Sequence, residues 1–119
     1  MTSYTLEILK GLNIEQKRAI AGATCDIATK FFNIPQHEVF LRISEVDFED
    51  YSRNGELSGP APRIYVVYEG SYSQESLRGF IADVAEKVSE IIELAKKDIH
   101  IILVKIEKSE LLKGGTGCL

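Results

Sequence analysis

Residues 63–70 read Arg63-Ile64-Tyr65-Val66-Val67-Tyr68-Glu69-Gly70. The run from Ile64 to Tyr68 is almost continuously apolar. A strand wet on one side alternates apolar and polar residues, whereas a continuous run is covered on both faces. Gly70 ends the strand and Ser73 is placed to cap a helix. Leu77, Phe80, Ile81, Val84, Val88, Ile91, Ile92 and Ala95 then recur at helical spacing and define one apolar stripe. Lys96 and Lys97 fall at its C-terminal end, where the helix dipole favours positive charge. Ile99 to Ile106 gives a second strand, again apolar on both faces. Strand, helix and strand in this order form one β-α-β unit.

The same order precedes it. Tyr4 to Leu9 alternates with a period of two and stops at Gly11. Asn13 and Gln16 have the spacing of a capping box. Ile20, Ala23, Ile27 and Phe31 lie on one helical face, and Pro35 stops the helix. Val39 to Val46 is the next strand, with Val39, Leu41 and Ile43 on one side and Phe40, Arg42 and Ser44 on the other. Gly11 and Gly70 are 59 residues apart, and Val39 and Ile99 are 60 apart. The chain therefore reads as two β-α-β units of nearly equal length, with one residue inserted in the second. Between them, 47–62 lacks periodicity and reads as a linker or functional loop. The tail from Glu107, with Gly114, Gly115 and Gly117, reads as loose or docked on a neighbour.

A β-α-β crossover is right-handed and makes its two strands parallel. Two units side by side predict an α+β domain with a four-stranded mixed sheet and both helices on one face. The opposite face is then uncovered although its strands are apolar, so an oligomer is expected. A ferredoxin-like β-α-β-β-α-β sandwich has the same element order, but a short hairpin normally joins its middle strands. The long connection at 47–62 favours two separately closed units.

The 119 residues fit one domain over 1–119, with pseudo-repeats 2–57 and 61–115. Fourteen Lys and Arg against eighteen Asp and Glu give a net charge of −4, which disfavours nucleic acid or an anionic membrane as partner. No apolar run approaches the roughly 20 residues of a membrane span, and no signal pattern opens the chain, so a cytoplasmic location is expected. Cys25 and Cys118 lack paired spacing and read as free thiols, with no metal site. The glycine-rich tail lacks the Lys-Ser/Thr of a phosphate loop, and no cofactor is expected.

The strand Thr5–Gly11, the helix start Asn13-Ile14-Glu15-Gln16-Lys17-Arg18 and the loop Tyr51-Ser52-Arg53-Asn54-Gly55-Glu56-Leu57 together resemble the tautomerase superfamily. Tyr68-Glu69-Gly70, Leu77-Arg78-Gly79 and Lys97 fall in register with its fused two-unit, cis-3-chloroacrylic acid dehalogenase-like group. The resemblance implies a homotrimer and a small-molecule ligand. In that family a proline exposed at the N-terminus supplies a secondary amine of lowered pKa in an apolar pocket. Here Thr2 fills the proline slot. The arginine pair of the dehalogenase-like group falls at Tyr68 and Ser71, its histidine at Ala28, its water-activating tyrosine at Ile102 and its acid near Lys113. The resemblance thus carries the fold but not the activity.

Other residues are candidates for altered chemistry. Loss of Met1 would leave Thr2 with a free α-amine able to act as a base, form a Schiff base or activate its own hydroxyl. His100 matches a position where small family members carry a substrate-binding arginine, and it could donate to a substrate oxygen or titrate near neutrality. Tyr51 matches an aromatic that walls the family pocket, and Arg53 is the loop cation beside it. Arg42 could fork onto a carboxylate; a salt bridge to Glu45 or Glu7 is the plainer alternative. Tyr68, a packing group with a polar tip, completes the substrate-binding set. His37 reads as a surface residue. Two function classes remain: a tautomerase-fold enzyme with a diverged site for a small keto/enol or unsaturated carbonyl compound, and a non-catalytic trimeric binding or partner protein. Either way, dehalogenation of 3-chloroacrylates should be absent in a chloride-release assay. Losing one oxyanion-type donor alone costs about 10²–10³ in rate; efficient release would show that the assigned register is wrong.

Overall fold

The computed structural model describes residues 1–58, 61–107, 112–113 and 116–117. Strand β1 (Thr2–Leu9) leads to helix α1 (Ile14–Phe32), a 3₁₀ turn at Gln36–Glu38 and strand β2 (Val39–Val46). The capping box forms: Gln16 N donates to Asn13 Oδ1 at 2.8 Å, and Asn13 N donates to Gln16 Oε1 at 3.0 Å. The helix stops before Pro35, because Asn33 turns left-handed at φ 51. The proline opens the 3₁₀ turn instead.

The connection is more ordered than its sequence pattern suggests. A 3₁₀ turn at Phe48–Asp50 is followed by a small hairpin of β3 (Ser52–Arg53) and β4 (Glu56–Leu57). Asn54 and Gly55 both have positive φ, 57° and 79°, the backbone that an Asn-Gly hairpin turn requires.

The second unit is β5 (Arg63–Glu69), α2 (Gln74–Ile92), a 3₁₀ turn at Lys96–Asp98 and β6 (His100–Ile106). Ser73 Oγ caps α2 by accepting from Ser76 N at 3.1 Å. The helix ends at Ile92 with Glu93 in the left-handed region, short of Ala95. Lys96 and Lys97 therefore lie beyond the helix, and Lys96 Nζ reaches back to Glu86 Oε2 at 2.8 Å. In the tail, β7 (Leu112–Lys113) and β8 (Thr116–Gly117) pair antiparallel. Cys118, Gly114 and Gly115 lie outside the described residues.

The repeat runs without an insertion. The caps Asn13 and Ser73, the left-handed Asn33 and Glu93, and the turns beginning at Gln36 and Lys96 are all 60 residues apart. Ladder partners agree: Ser3 pairs with Phe40 as Arg63 pairs with His100. Gly11 and Gly70, 59 apart, are thus not equivalent positions, and the inserted residue inferred from them is not needed.

The sheet order is β2-β1-β5-β6. β1 and β2 are parallel, β5 and β6 are parallel, and the units meet antiparallel along β1 and β5. Each unit's strands are direct neighbours, which excludes the split arrangement of a ferredoxin-like sandwich. Both helices cover one face. There Tyr4, Leu6, Ile64 and Val66 are buried with Ile20, Phe80, Val84 and Val88. Tyr4 Oη donates to the Thr24 carbonyl at 2.9 Å, and burial raises its pKa above the ordinary phenol range. The other face has no covering layer among the described residues. Phe40, Ile102 and Val104 stand on it 54%, 39% and 41% exposed.

On the helix side, Glu45 accepts from Gly11 N at 2.9 Å and pairs with the Lys17 ammonium. The hydrogen bond with Lys17, followed by that from Gly11, holds the carboxyl below its ordinary pKa. A folded-state pKa below the unfolded one gives stability that is present above the unfolded pKa and lost as pH falls through the folded one. Glu45→Gln should therefore be less stable than the native chain at neutral pH, by roughly 0.5 kcal/mol for so exposed a pair. The gap should close as pH falls through and below the carboxylate range, as read by urea titration; a pH-independent gap would refute the assignment.

Candidate functional site

The chemistry-bearing residues gather at two places. The first is the start of β1. Thr2 is 1% exposed and pairs with Val39 on one side and Tyr68 on the other. The amine ahead of it, on Met1, donates to Glu69 Oε1 at 2.8 Å, with Glu38 Oε1 at 3.9 Å. The second oxygen of Glu69 is buried without a hydrogen-bond partner among the described residues. Tyr68 is in the core, its ring stacked on Phe32 at 5.5 Å, with Tyr72 edge-on to Phe32 at 4.9 Å. Burial, then the charges of Glu69 and Tyr68, raise the pKa of Tyr72. Gly70 makes the bend between Glu69 and Tyr72 at φ 107; a Cβ there would meet the Tyr72 ring at 3.0 Å. Lys105, paired with Tyr68, donates to Ser71 Oγ at 3.4 Å.

The second place is where β5 and β6 begin. His100 is exposed, pairs with Arg63 and donates its backbone N–H to the Pro62 carbonyl at 2.9 Å. Tyr51 is in the connection, its carbonyl accepting from Ser58 N at 2.9 Å. Hydrogen bonding with Tyr65, then the proximity of Tyr51 and Glu7, raise the pKa of the Arg63 guanidinium.

Within one chain these places do not meet. Thr2 pairs with Tyr68, five residues along β5 from the partner of His100, or about 16 Å along the strand. Thr2 also faces the helices, and His100 faces away from them. Thr2 and His100 of one chain are therefore kept apart. Arg53 is exposed on the hairpin. Arg42 is exposed on the uncovered face beside Thr5 and makes no ion pair among the described residues. Glu45, offered as its partner, turns to Lys17 on the opposite face. His37 is exposed in its turn.

Sequence reasoning missed Glu69, Lys105 and Arg63. Glu69 was legible as the last residue before a strand-ending glycine; Arg63 had only its place at a strand start as a signal. Among the described residues, no cluster of His, Cys, Asp and Glu could hold a metal ion, and no helix is long and apolar enough to cross a membrane.

No protein-family model matches the chain, and no curated protein matches it. Solved structures do. A wild-type fused 4-OT, F6, an asymmetric trimer, superposes with a TM-score of 0.89 at 15% identity, covering 98% of this chain and 95% of that one. Pt0534 inactivated by 2-oxo-3-pentynoate gives 0.86 at 18% identity, over 98% and 95% of the two chains. N1, a member of the cis-3-chloroacrylic acid dehalogenase family, gives 0.81 at 14% identity, over 98% and 83%. The chain shares the tandem β-α-β fold of these structures.

Glu69→Gln keeps the shape of the side chain but removes the charge that holds the N-terminal amine. This variant should acylate faster at its N-terminus with an activated ester, measured by peptide mass spectrometry. Intact mass identifies whether the amine belongs to Met1 or Thr2. An unchanged rate would show that Glu69 does not hold the amine in solution.

Proposed function

We propose that the chain is a cytoplasmic homotrimer, assembled through the uncovered sheet face, that acts on a small keto/enol or unsaturated carbonyl compound. The N-terminal amine, that of Thr2 once Met1 is removed, and His100 are the catalytic groups. Tyr51, Arg53, Arg42 and Tyr68 contribute to substrate binding. The observation that carries this reading is the uncovered face itself. Phe40, Ile102 and Val104 expose apolar surface on it, and covering it with other copies could bring the start of β1 toward the His100 end of a neighbour. The trimeric state of the fused 4-OT structures supports the same stoichiometry. Clefts between subunits are concave and partly apolar, as ligand sites are.

A second reading is a non-catalytic trimer that binds a ligand or partner. The substitutions at the matched catalytic positions favour it, as does the hold of Glu69 on the amine.

Light scattering should give a trimeric mass, and Ile102→Asp should yield a folded monomer. Ile101→Asp, on the core side, should fail to fold, since a buried unpaired carboxylate costs several kcal/mol. A wild-type monomer would end the assembly proposal. On a panel of 2-oxo acid enols and β,γ-unsaturated 2-oxo acids, His100→Ala should lower turnover about 10²-fold with the trimer intact, as for a lost acid–base group. No turnover by the native chain would leave the binding-protein reading in front.

A further inference from the structure

Gly70 follows β5 at φ 107, a backbone conformation that favours glycine. By the 60-residue repeat its counterpart in the first unit is Lys10, and Gly11 corresponds to Ser71. The strand-ending glycine of the second unit thus stands one step early. The shift matters to Tyr72, whose counterpart is Leu12. Its ring folds back over the backbone where a side chain on residue 70 would stand: a Cβ there would meet Cε2 at 3.0 Å, Oη at 3.1 Å and Cζ at 3.3 Å. The same ring lies edge-on to Phe32 at 4.9 Å and beside Tyr68 at 6.0 Å. Its hydroxyl donates to the Phe32 carbonyl at a long 3.4 Å. That carbonyl is among the last four of α1, which have no partner within the helix. The bend after β5 is thereby pinned to the end of α1. Glu69, the residue before the bend, acts through its charge on the Tyr72 hydroxyl and holds the chain's amine through Oε1 at 2.8 Å. Its other oxygen is buried without a hydrogen-bond partner among the described residues. No second polar contact at that oxygen fixes the carboxylate, so its place depends on the packing of the bend.

We propose that Gly70 and the Tyr72 ring are a clasp of positioning residues that holds the Glu69 carboxylate on the N-terminal amine and so limits how readily that amine reacts. The proposal rests on the functional reading above in taking this amine as the working group. It adds the device that keeps the amine in reserve, because an ammonium engaged by a carboxylate must leave it before its nitrogen can attack a carbonyl or take up a proton. The first unit lacks the clasp: Leu9, Lys10 and Leu12 occupy the steps of Glu69, Gly70 and Tyr72.

The test uses the full chain with its amine on Met1, as fixed by intact mass. Acetylation by an N-hydroxysuccinimide ester is followed at the N-terminal peptide, with the exposed Lys97 as internal reference. Gly70→Ala should raise the rate about three- to fivefold, the weight of one ion pair, because the added Cβ displaces the Tyr72 ring. Tyr72→Leu, which copies Leu12, should do the same and decides the matter where the Ala variant does not fold. Tyr72→Phe keeps the ring and should return the native rate. In a Glu69→Gln background neither Gly70→Ala nor Tyr72→Leu should add a further rise, since residues that act through one contact are non-additive. A native rate in Tyr72→Leu, an equal rise in Tyr72→Phe, or an unchanged rate in Glu69→Gln would overturn the proposal. So would a further rise on top of Glu69→Gln, which would mark a general loosening of the strand end. Turnover is not the readout. A chain whose clasp variants acylate faster but which converts nothing on the panel keeps the clasp and loses the catalytic reading; turnover with unchanged acylation does the reverse.

Discussion

The antiparallel ladder between β1 and β5 is the contact on which the molecule depends. Each β-α-β unit alone is a two-stranded parallel sheet with one helix, too little to enclose a core. Joined through this ladder, Tyr4 stands opposite Val66 and Leu6 opposite Ile64, all 0–1% exposed. Burying each such side chain contributes roughly 1.5–3 kcal/mol. The helices meet above the seam: Phe80 of α2 lies 6.0 Å from the Tyr4 ring and 4.8 Å from that of Phe32 in α1. Gln16, already in the α1 capping box, sends its Nε2 to the Ile91 carbonyl at 3.2 Å and ties the start of one helix to the end of the other.

A sheet built this way has one covered face. On the other, the register sets out cross-strand rows of differing chemistry. Phe40, Ser3, Val67 and Val104 form a largely apolar row, whereas Ser44, Glu7, Arg63 and His100 form a polar, charged one. The apolar row offers surface to another copy. The polar row, where β5 and β6 begin, offers donors and charge. One face of the sheet thus carries an apolar row and a charged row.

Much of the fold was legible because it follows from local rules. Asn13 and Gln16 announced the start of α1, Ser73 that of α2, and the doubly apolar strands announced a sheet needing cover. Errors fell where the deciding feature is a single backbone conformation. Left-handed Glu93 ends α2 before the Ala95 that closes its apolar stripe, left-handed Asn33 ends α1 before the Pro35 expected to stop it, and the Asn54-Gly55 turn was a hairpin signal inside a stretch otherwise without pattern. The pairing of Gly11 with Gly70 misled because two strand-ending glycines need not occupy the same step of a repeat. The candidate site was less legible. His100 pairs with Arg63 and Tyr51 acts on its charge, but Arg63 itself carries no motif. Its interest lies in an unpaired Nε, a property of three-dimensional packing that no spacing encodes.

The exact repeat makes the difference between its two ends informative. Ser3 and Phe40 occupy one ladder step in the first unit, and Arg63 and His100 occupy the same step in the second. Two substitutions turn a neutral, partly aromatic position into a cationic one. At the other end of β5 the balance is reversed: an amine stands among carboxylates, with Glu69 at 2.8 Å and Glu38 at 3.9 Å. The topology alone would make both units alike, so the asymmetry lies in the side chains. An amine already engaged by Glu69 must leave that carboxylate before it can act on a substrate, whereas the Arg63 fork lacks an ion-pair partner among the described residues. The fold gives both ends equivalent ground, and the side chains alone make one an engaged amine and the other a guanidinium beside an imidazole.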